Sequence, residues 1–376
     1  MAAKFMRTSV YKVPMKSPDD VSAVFSLAKK RKIHPLDIVA ILCKTEGNGN
    51  VNDFSRALAT QSFEAMLTQL TNQPRHIIRS KVALVMSGGC EGVMSPHATI
   101  FTRNRLDSHS KPRNKNKRLA IGVAFTRDFK SEEIGRVIQV EEVSNAVRKA
   151  MSDARIDNTQ DVHFVQIKCP LLTSDQIAEA NLMGKEVVTA DTLKSMAYSR
   201  GASALGVAIA LKEIEHSKVR DDIICKDWKY FSNVASCSAG IEMKKCEIIL
   251  MGNSYYSDSE FVIGHSVMKD AIDSKAVFDA LESVNIGRDW PISFDEQQRI
   301  VNIFAKAEAS PDGMTRGRRH TMLTDSDISS TRHARAVVSA VIASIIGDPM
   351  IYVSGGSEHQ GPAGGGPIAV ITRKRT

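Results

Sequence analysis

The stretch from Lys81 to Pro96, KVALVMSGGCEGVMSP, decides how this chain folds, because an apolar run stops at Ser87 and two glycines follow. A buried strand that ends this way delivers a hydroxyl to a turn. Glycine has no Cβ, so a ligand atom can approach the backbone closely and amide N–H groups stay free to hold an oxyanion. The phrase returns near the C-terminus as Met350-Ile351-Tyr352-Val353-Ser354-Gly355-Gly356, and a looser copy lies between Phe231 and Gly240, where Ser236 is followed by Cys237, Ser238, Ala239 and Gly240. With Ser87, Ser236 and Ser354 taken as equivalent, the chain reads as an internal triplication.

Two further features recur in register. The apolar run Asp37 to Cys43 ends on Lys44, Val162 to Ile167 ends on Lys168, and Ile300 to Ala305 ends on Lys306. Each reads as a buried strand with an amine at its end. A helical segment with an arginine follows each one: Arg56 after Asp53, which is a good N-cap; Arg200 in Tyr198-Ser199-Arg200-Gly201; and Arg332 or Arg335 in Thr331-Arg332-His333-Ala334-Arg335. The expected fold is therefore α/β, built from three pseudo-symmetric repeat units over residues 1–106, 119–254 and 255–376, with a basic linker at 107–118.

A serine hydroxyl is a poor nucleophile until a base takes its proton, and no His/Asp pair recurs with these serines. Lysine does recur. A neutral lysine amine can serve as the base if burial and nearby positive charge push its pKa down, and three arginines would supply that charge while their forked donors hold carbonyl oxygens or an anion. A lone lysine at a strand end is ordinarily a surface residue, and a lone Ser-Gly-Gly is ordinarily a turn. Recurrence of all three features favours one shared site.

Composition limits the alternatives. The 376 residues are 43% apolar and 24% charged, as in a water-soluble globular protein, and no run approaches the eighteen apolar residues of a membrane span. The first twenty residues carry no apolar core of a secretory leader, and six cysteines without CxxC spacing suit a reducing, cytoplasmic setting. Much of the net charge of +8 lies in Lys111 to Arg118 and Arg373 to Arg375, with no aromatic residues interleaved, which argues against a nucleic-acid surface and remains compatible with an anionic small molecule. The glycine loop Gly355 to Gly366 leads into a strand and not a helix, so it suits a hard cation held by backbone carbonyls and Glu308 better than a phosphate.

The phrases SGGCEGVMSPH, GRRHTMLTDSDISSTRHARA and VSGGSEHQGPAGGGPIAVI, with the pairs Lys44/Ser87, Lys168/Ser236 and Lys306/Ser354, resemble the cyanuric acid hydrolase and barbiturase family over essentially the whole chain. The resemblance implies three α/β units around a central threefold axis, with the active site where they meet. It implies hydrolytic opening of a cyclic amide, either cyanuric acid to carboxybiuret and then biuret, or barbituric acid to ureidomalonic acid. Ser236 would be the nucleophile and Lys168 its base. Arg56, Arg200, Ser87, Gly88, Ser354, Gly355 and the backbone near Ser236 and Cys237 would hold the ring, with Arg332 and Arg335 competing for the third arginine position and the family spacing to the last serine favouring Arg335. Lys44 and Lys306 would stand behind the other two serines. The resemblance further implies a homotetramer, no organic cofactor, and a structural Mg²⁺ or Ca²⁺ held by Glu308 and the tail loop at Ser357, Gln360, Gly361, Pro362 and Gly365. The rival from another class is a non-catalytic protein that binds an anionic ligand through the arginines alone.

Overall fold

The computed structural model describes residues 5–106, 116–287 and 290–374, so most of the basic segment expected as a linker lies outside the described residues. Its first part runs β1 (Met6–Pro14), α1 (Ser22–Lys29), β2 (Ile38–Thr45), α2 (Phe54–Thr71), α3 (Arg75–Lys81), β3 (Ala83–Gly88) and β4 (His97–Arg105). The second runs β5 (Arg118–Phe125), α4 (Val137–Ala154), β6 (Val162–Cys169), α5 (Ser174–Leu182), α6 (Thr192–Ala210), β7 (Ala235–Ala239) and β8 (Glu247–Ser254). The third runs β9 (Phe261–Met268), α7 (Ser274–Glu282), α8 (Phe294–Arg299), β10 (Ile300–Ala307), a short hairpin of β11 (Met314–Thr315) and β12 (Arg318–Arg319), α9 (Ser330–Ile346), β13 (Tyr352–Gly355) and β14 (Gly366–Arg373).

These strands form three four-stranded sheets in the orders β1-β4-β2-β3, β5-β8-β6-β7 and β9-β14-β10-β13. Within each, the first strand pairs with the last, the last with the second, and the second with the third, and only that final pairing is parallel. The architecture is mixed α/β with one strand order used three times. Two strands of these sheets escaped the sequence reading, as did the short β11–β12 hairpin, which lies in a stretch that reads as a loop. β1 alternates buried and half-buried residues, and β9 carries Gly264, His265 and Ser266, so neither shows the continuous apolar run that marked the other strands.

The long apolar strands are explained by burial on both faces. The outer face of each sheet is covered by its own helices: α1 and α2 over the first, α4 and α6 over the second, α7 and α9 over the third. The inner faces meet one another in a single cluster that draws Val85 and Phe101, Ile121 and Phe164, and Phe304 and Tyr352 from the three sheets. Phe304 lies at the middle of this contact, with its ring centroid 6.4 Å from Phe101, 5.6 Å from Phe164 and 5.7 Å from Tyr352. Sheets packed this way set the carboxyl ends of β2, β6 and β10 side by side, and those are the ends that carry the lysines.

A buried carboxyl also ties two sheets together, since Glu247 at the start of β8 accepts a hydrogen bond from the Leu84 N–H of β3 at 2.8 Å. Burial pushes its pKa up to about 7 from an ordinary 4.5. The protonated form is thus the stabilising one: its contribution is complete below the unfolded-state value and lost as pH rises through about 7. Glu247→Gln keeps the acceptor oxygen and cannot ionise. Urea unfolding is expected to find it more stable than the unaltered protein at pH 8, by on the order of 1–3 kcal/mol, and equal to it near pH 4.

Candidate active site

The parallel strand pairs place each lysine beside a serine. Lys44 stands opposite Ser87, Lys306 opposite Ser354, and Lys168 opposite Ser238. All three lysines are buried. Lys44 Nζ donates to Ser87 Oγ at 3.1 Å, and Lys306 Nζ donates to Ser354 Oγ at 3.2 Å. Burial lowers the Lys44 amine to about 8, and burial together with the nearby Arg200 guanidinium lowers Lys306 to about 7. Lys168 is lowered too, chiefly by burial, with Glu242 opposing the shift.

The assignment of Ser236 as the central hydroxyl is corrected by this register. Ser236 lies opposite Gln166, is fully buried, and donates to Gln166 Oε1 at 2.7 Å. Ser238 is the residue that lines the cleft, and its Oγ has no hydrogen-bond partner among the described residues. Alternation along a strand puts Ser236 and Ser238 on the same face, about 7 Å apart, so side-chain periodicity alone does not separate them. Cys237 between them points the other way into the core below α4 and α6, and burial pushes its thiol far up, so its Sγ takes no part at the cleft. Its carbonyl accepts from Lys306 Nζ at 2.7 Å.

The cleft gathers Ser87 and Gly88, Ser238 and Ala239, Ser354 and Gly355, with Lys168 and the three arginines Arg56, Arg200 and Arg335. Arg335 is 3% exposed and reaches it from α9, whereas the Arg332 side chain is 39% exposed and is not part of the lining. Met196, one turn before Arg200 on α6, adds a large apolar side chain. The cleft is narrow, about 20 Å³, while a larger cavity of about 620 Å³ between Asn253, Ser283, Pro291 and Glu296 holds none of these groups.

Each arginine meets a glutamate that follows the serine of another sheet by four residues. Arg335 donates twice to Glu91, at 2.6 and 2.6 Å; Arg200 donates twice to Glu358, at 2.8 and 2.6 Å; Arg56 approaches Glu242 at 3.7 Å. The second sheet's glutamate thus serves the first sheet's arginine, the third serves the second, and the first serves the third. The glycine pairs make room for this exchange. A Cβ on Gly89, at φ +97°, would fall 2.5 Å from an Arg335 nitrogen, and one on Gly356, at φ +75°, would fall 2.4 Å from Arg200 Nε. Sequence reasoning missed these glutamates, although the spacing Ser-x-Gly-x-Glu occurs at Ser87, Ser238 and Ser354 and would have aligned the middle copy correctly.

The tail loop runs beside the strand end that precedes Glu308: the Gly356 N–H donates to the Ala307 carbonyl at 3.1 Å, and a Cβ on Gly364 would fall 2.7 Å from Ser310. Glu308 is half-buried, its Oε1 accepts from the Ala309 N–H at 2.9 Å, and desolvation together with the neighbouring Glu358 carboxylate raises its pKa above the ordinary carboxylate range. The Gln360 side chain accepts from the Cys237 N–H at 2.6 Å and donates to the Gly356 and Glu358 carbonyls. Among the described residues no three His, Cys, Asp or Glu side chains converge on a metal-sized centre. A hard cation here would rest on Glu308 and on carbonyl oxygens of Ser357, Gly361, Pro362 and Gly365, a donor set that fits Mg²⁺ or Ca²⁺ chemistry. No helix among the described residues is long and apolar enough to cross a membrane.

The sequence pattern of a family described as "Amidohydrolase ring-opening protein" matches residues 9–373. The chain belongs to this family. It is 55% identical over 368 residues to a cyanuric acid amidohydrolase of Enterobacter cloacae, covering 98% of this chain and all of that one. It is 47% identical over 368 residues to a cyclic amide hydrolase of Azorhizobium caulinodans, with the same coverage. A solved cyanuric acid hydrolase structure matches with a TM-score of 0.94 at 52% identity, over 98% of this chain and all of that one.

The arginine geometry makes an expectation that steady-state kinetics of cyclic-amide ring opening can check. Arg335→Ala removes two buried charge-assisted hydrogen bonds and a cleft-lining cation, and should raise KM by about 10-fold or more. Arg332→Ala removes a half-exposed partner of the same glutamate and should change KM by less than about threefold.

Proposed function

We propose that this chain hydrolyses a ring amide of cyanuric acid, giving carboxybiuret and then biuret and CO₂, and that its three α/β units are related by a pseudo-threefold axis through the cleft. The observation that carries the reading is the convergence of three hydroxyls and three guanidinium groups on one cleft, with an amine behind each hydroxyl. Cyanuric acid offers three carbonyls at equal angles, and the relative at 55% identity is a cyanuric acid amidohydrolase. The arginines are on rotatable side chains, and their outward swing would admit the ring.

In this reading Ser238 is the nucleophile and Lys168 its base, because the middle position alone leaves its hydroxyl unengaged. The Ser238 proton passes to a neutral Lys168 amine as the Oγ–C bond forms at a ring carbonyl. The proton then passes from Lys168 to the ring nitrogen as the C–N bond breaks. Water hydrolyses the ester and restores the hydroxyl. Ser87 and Ser354 accept hydrogen bonds from their lysines, which leaves their own protons free to donate to the remaining carbonyls. Barbituric acid, with a methylene in place of one ring N–H, is the second reading, and Met196 is the apolar side chain in the lining that would favour it.

Cyanuric acid consumption by single variants tests the assignment. Ser238→Ala and Lys168→Ala should each lower kcat by roughly 10²-fold or more, and Ser236→Ala should stay within about fivefold of the unaltered protein. An inactive Ser236→Ala beside a working Ser238→Ala would reinstate the hydroxyl that the register displaces. The structural cation and the homotetramer implied by the family resemblance are proposed as well. Glu308 would be the cation's one carboxylate, and the ion would supply a positive charge that lets Glu308 and Glu358 ionise side by side. Millimolar Mg²⁺ or Ca²⁺ should therefore raise the melting temperature of the intact protein and leave that of Glu308→Gln unchanged.

A further inference from the structure

The three glutamates that follow the serines are used unequally. Glu91 and Glu358 each accept a forked pair of hydrogen bonds from one guanidinium. Glu242 accepts none. Arg56 Nε stays 3.7 Å away, and the nearest cation is Lys168 Nζ at 3.3 Å, an ion-pair distance without hydrogen-bond alignment. The lysines differ in the same place. Lys44 and Lys306 donate to their serines, whereas Lys168 donates to the Met86 carbonyl at 2.8 Å and the Ala239 carbonyl at 3.4 Å. Among the described residues, Lys168 is the only one of the three lysines with a carboxylate within ion-pair distance, and it stands opposite the serine whose hydroxyl is unengaged.

We propose that Glu242 is a positioning residue for Lys168: it holds the amine at the cleft and stabilises the ammonium formed when Lys168 takes the Ser238 proton. The inference rests on the Ser238–Lys168 reading above. The proton moves from Oγ to Nζ and later from Nζ to the ring nitrogen, while Glu242 stays ionised throughout. An ammonium created in a buried site is costly without a counter-charge, and a carboxylate beside the base removes that cost from the transition state. The groups facing the Lys168 amine are Glu242 from the turn after β7, Arg56 from α2 and Cys169 beside it on β6. Burial and Arg56 favour the neutral base, and Glu242 favours its protonated product, so the two protonation states needed in turn each have a supporter.

The pH dependence of kcat in the full-length enzyme tests this. Glu242→Gln removes the charge that favours the ammonium, so the limb on which rate rises with pH should move down by about 1–3 pH units, while the plateau falls at least about 10-fold and KM changes by less than about threefold. Glu91→Gln, which faces Arg335, should raise KM and leave the limb in place. Glu242→Asp, retaining a shorter carboxylate, should fall between the unaltered enzyme and Glu242→Gln in both limb and plateau. An unmoved or upward-moving limb in Glu242→Gln overturns the proposal; if circular dichroism shows that this variant does not fold, an unmoved limb in Glu242→Asp does so. Ser238→Ala, assayed alongside, separates the two failures. Near-normal turnover there sinks the nucleophile assignment and this inference with it, whereas an inactive Ser238→Ala beside an unmoved limb sinks the role of Glu242 alone.

Discussion

The structure depends on bringing three amines and three guanidinium groups to one place inside the protein. Each buried cation costs several kcal/mol unless it is neutralised or given acceptors. Lys306 illustrates the second remedy, since its Nζ donates to the Cys237 carbonyl, the Gly355 carbonyl and Ser354 Oγ. Ser354 and Gly355 are within reach because β10 and β13 run parallel and stop together, and the Cys237 carbonyl comes from β7 of the second sheet. The parallel strand pairs put the lysines beside their acceptors, and the glycines at the turns leave room for the arginines to reach their glutamates.

The glutamates complete the balance by crossing from sheet to sheet. An arginine held by a carboxylate of its own unit would point back toward it. An arginine held by the next unit's carboxylate is drawn across the cleft, over a glycine that has no side chain to obstruct it. Gly89 and Gly356 are occupied in this way by Arg335 and Arg200. The middle copy departs from the pattern with Ala239 in place of a first glycine and with Glu242 turned toward an amine, and one change of partner is enough to make chemically distinct positions out of a repeated frame.

Much of the frame was legible in the sequence because its strands are buried on both faces and read as unbroken apolar runs. The lysine at the end of each run and the N-cap Asp53, which accepts from the Ser55 N–H at 3.1 Å, were found for the same local reasons. Edge strands β1 and β9 were not, since a half-buried edge carries no such run. The middle serine was misplaced by two residues because pleating repeats every two residues and Ser236 satisfies it as well as Ser238 does. Only the register with Lys168, a tertiary fact, or the Ser-x-Gly-x-Glu spacing distinguishes them. For the third arginine the Ser/Thr-Arg pair points to Arg332 and the family spacing to Arg335, and burial agrees with the second: the two lie three positions apart on α9, yet only Arg335 lines the cleft.

The crosswise pairing of Arg56, Arg200 and Arg335 with Glu242, Glu358 and Glu91 means that no single third of the molecule owns a finished ligand contact. Were the thirds separate polypeptides, assembly would be governed by mass action and the site would vanish on dilution. Joined end to end they stay at a fixed effective concentration, and each third can drift in sequence without its change being copied onto the other two.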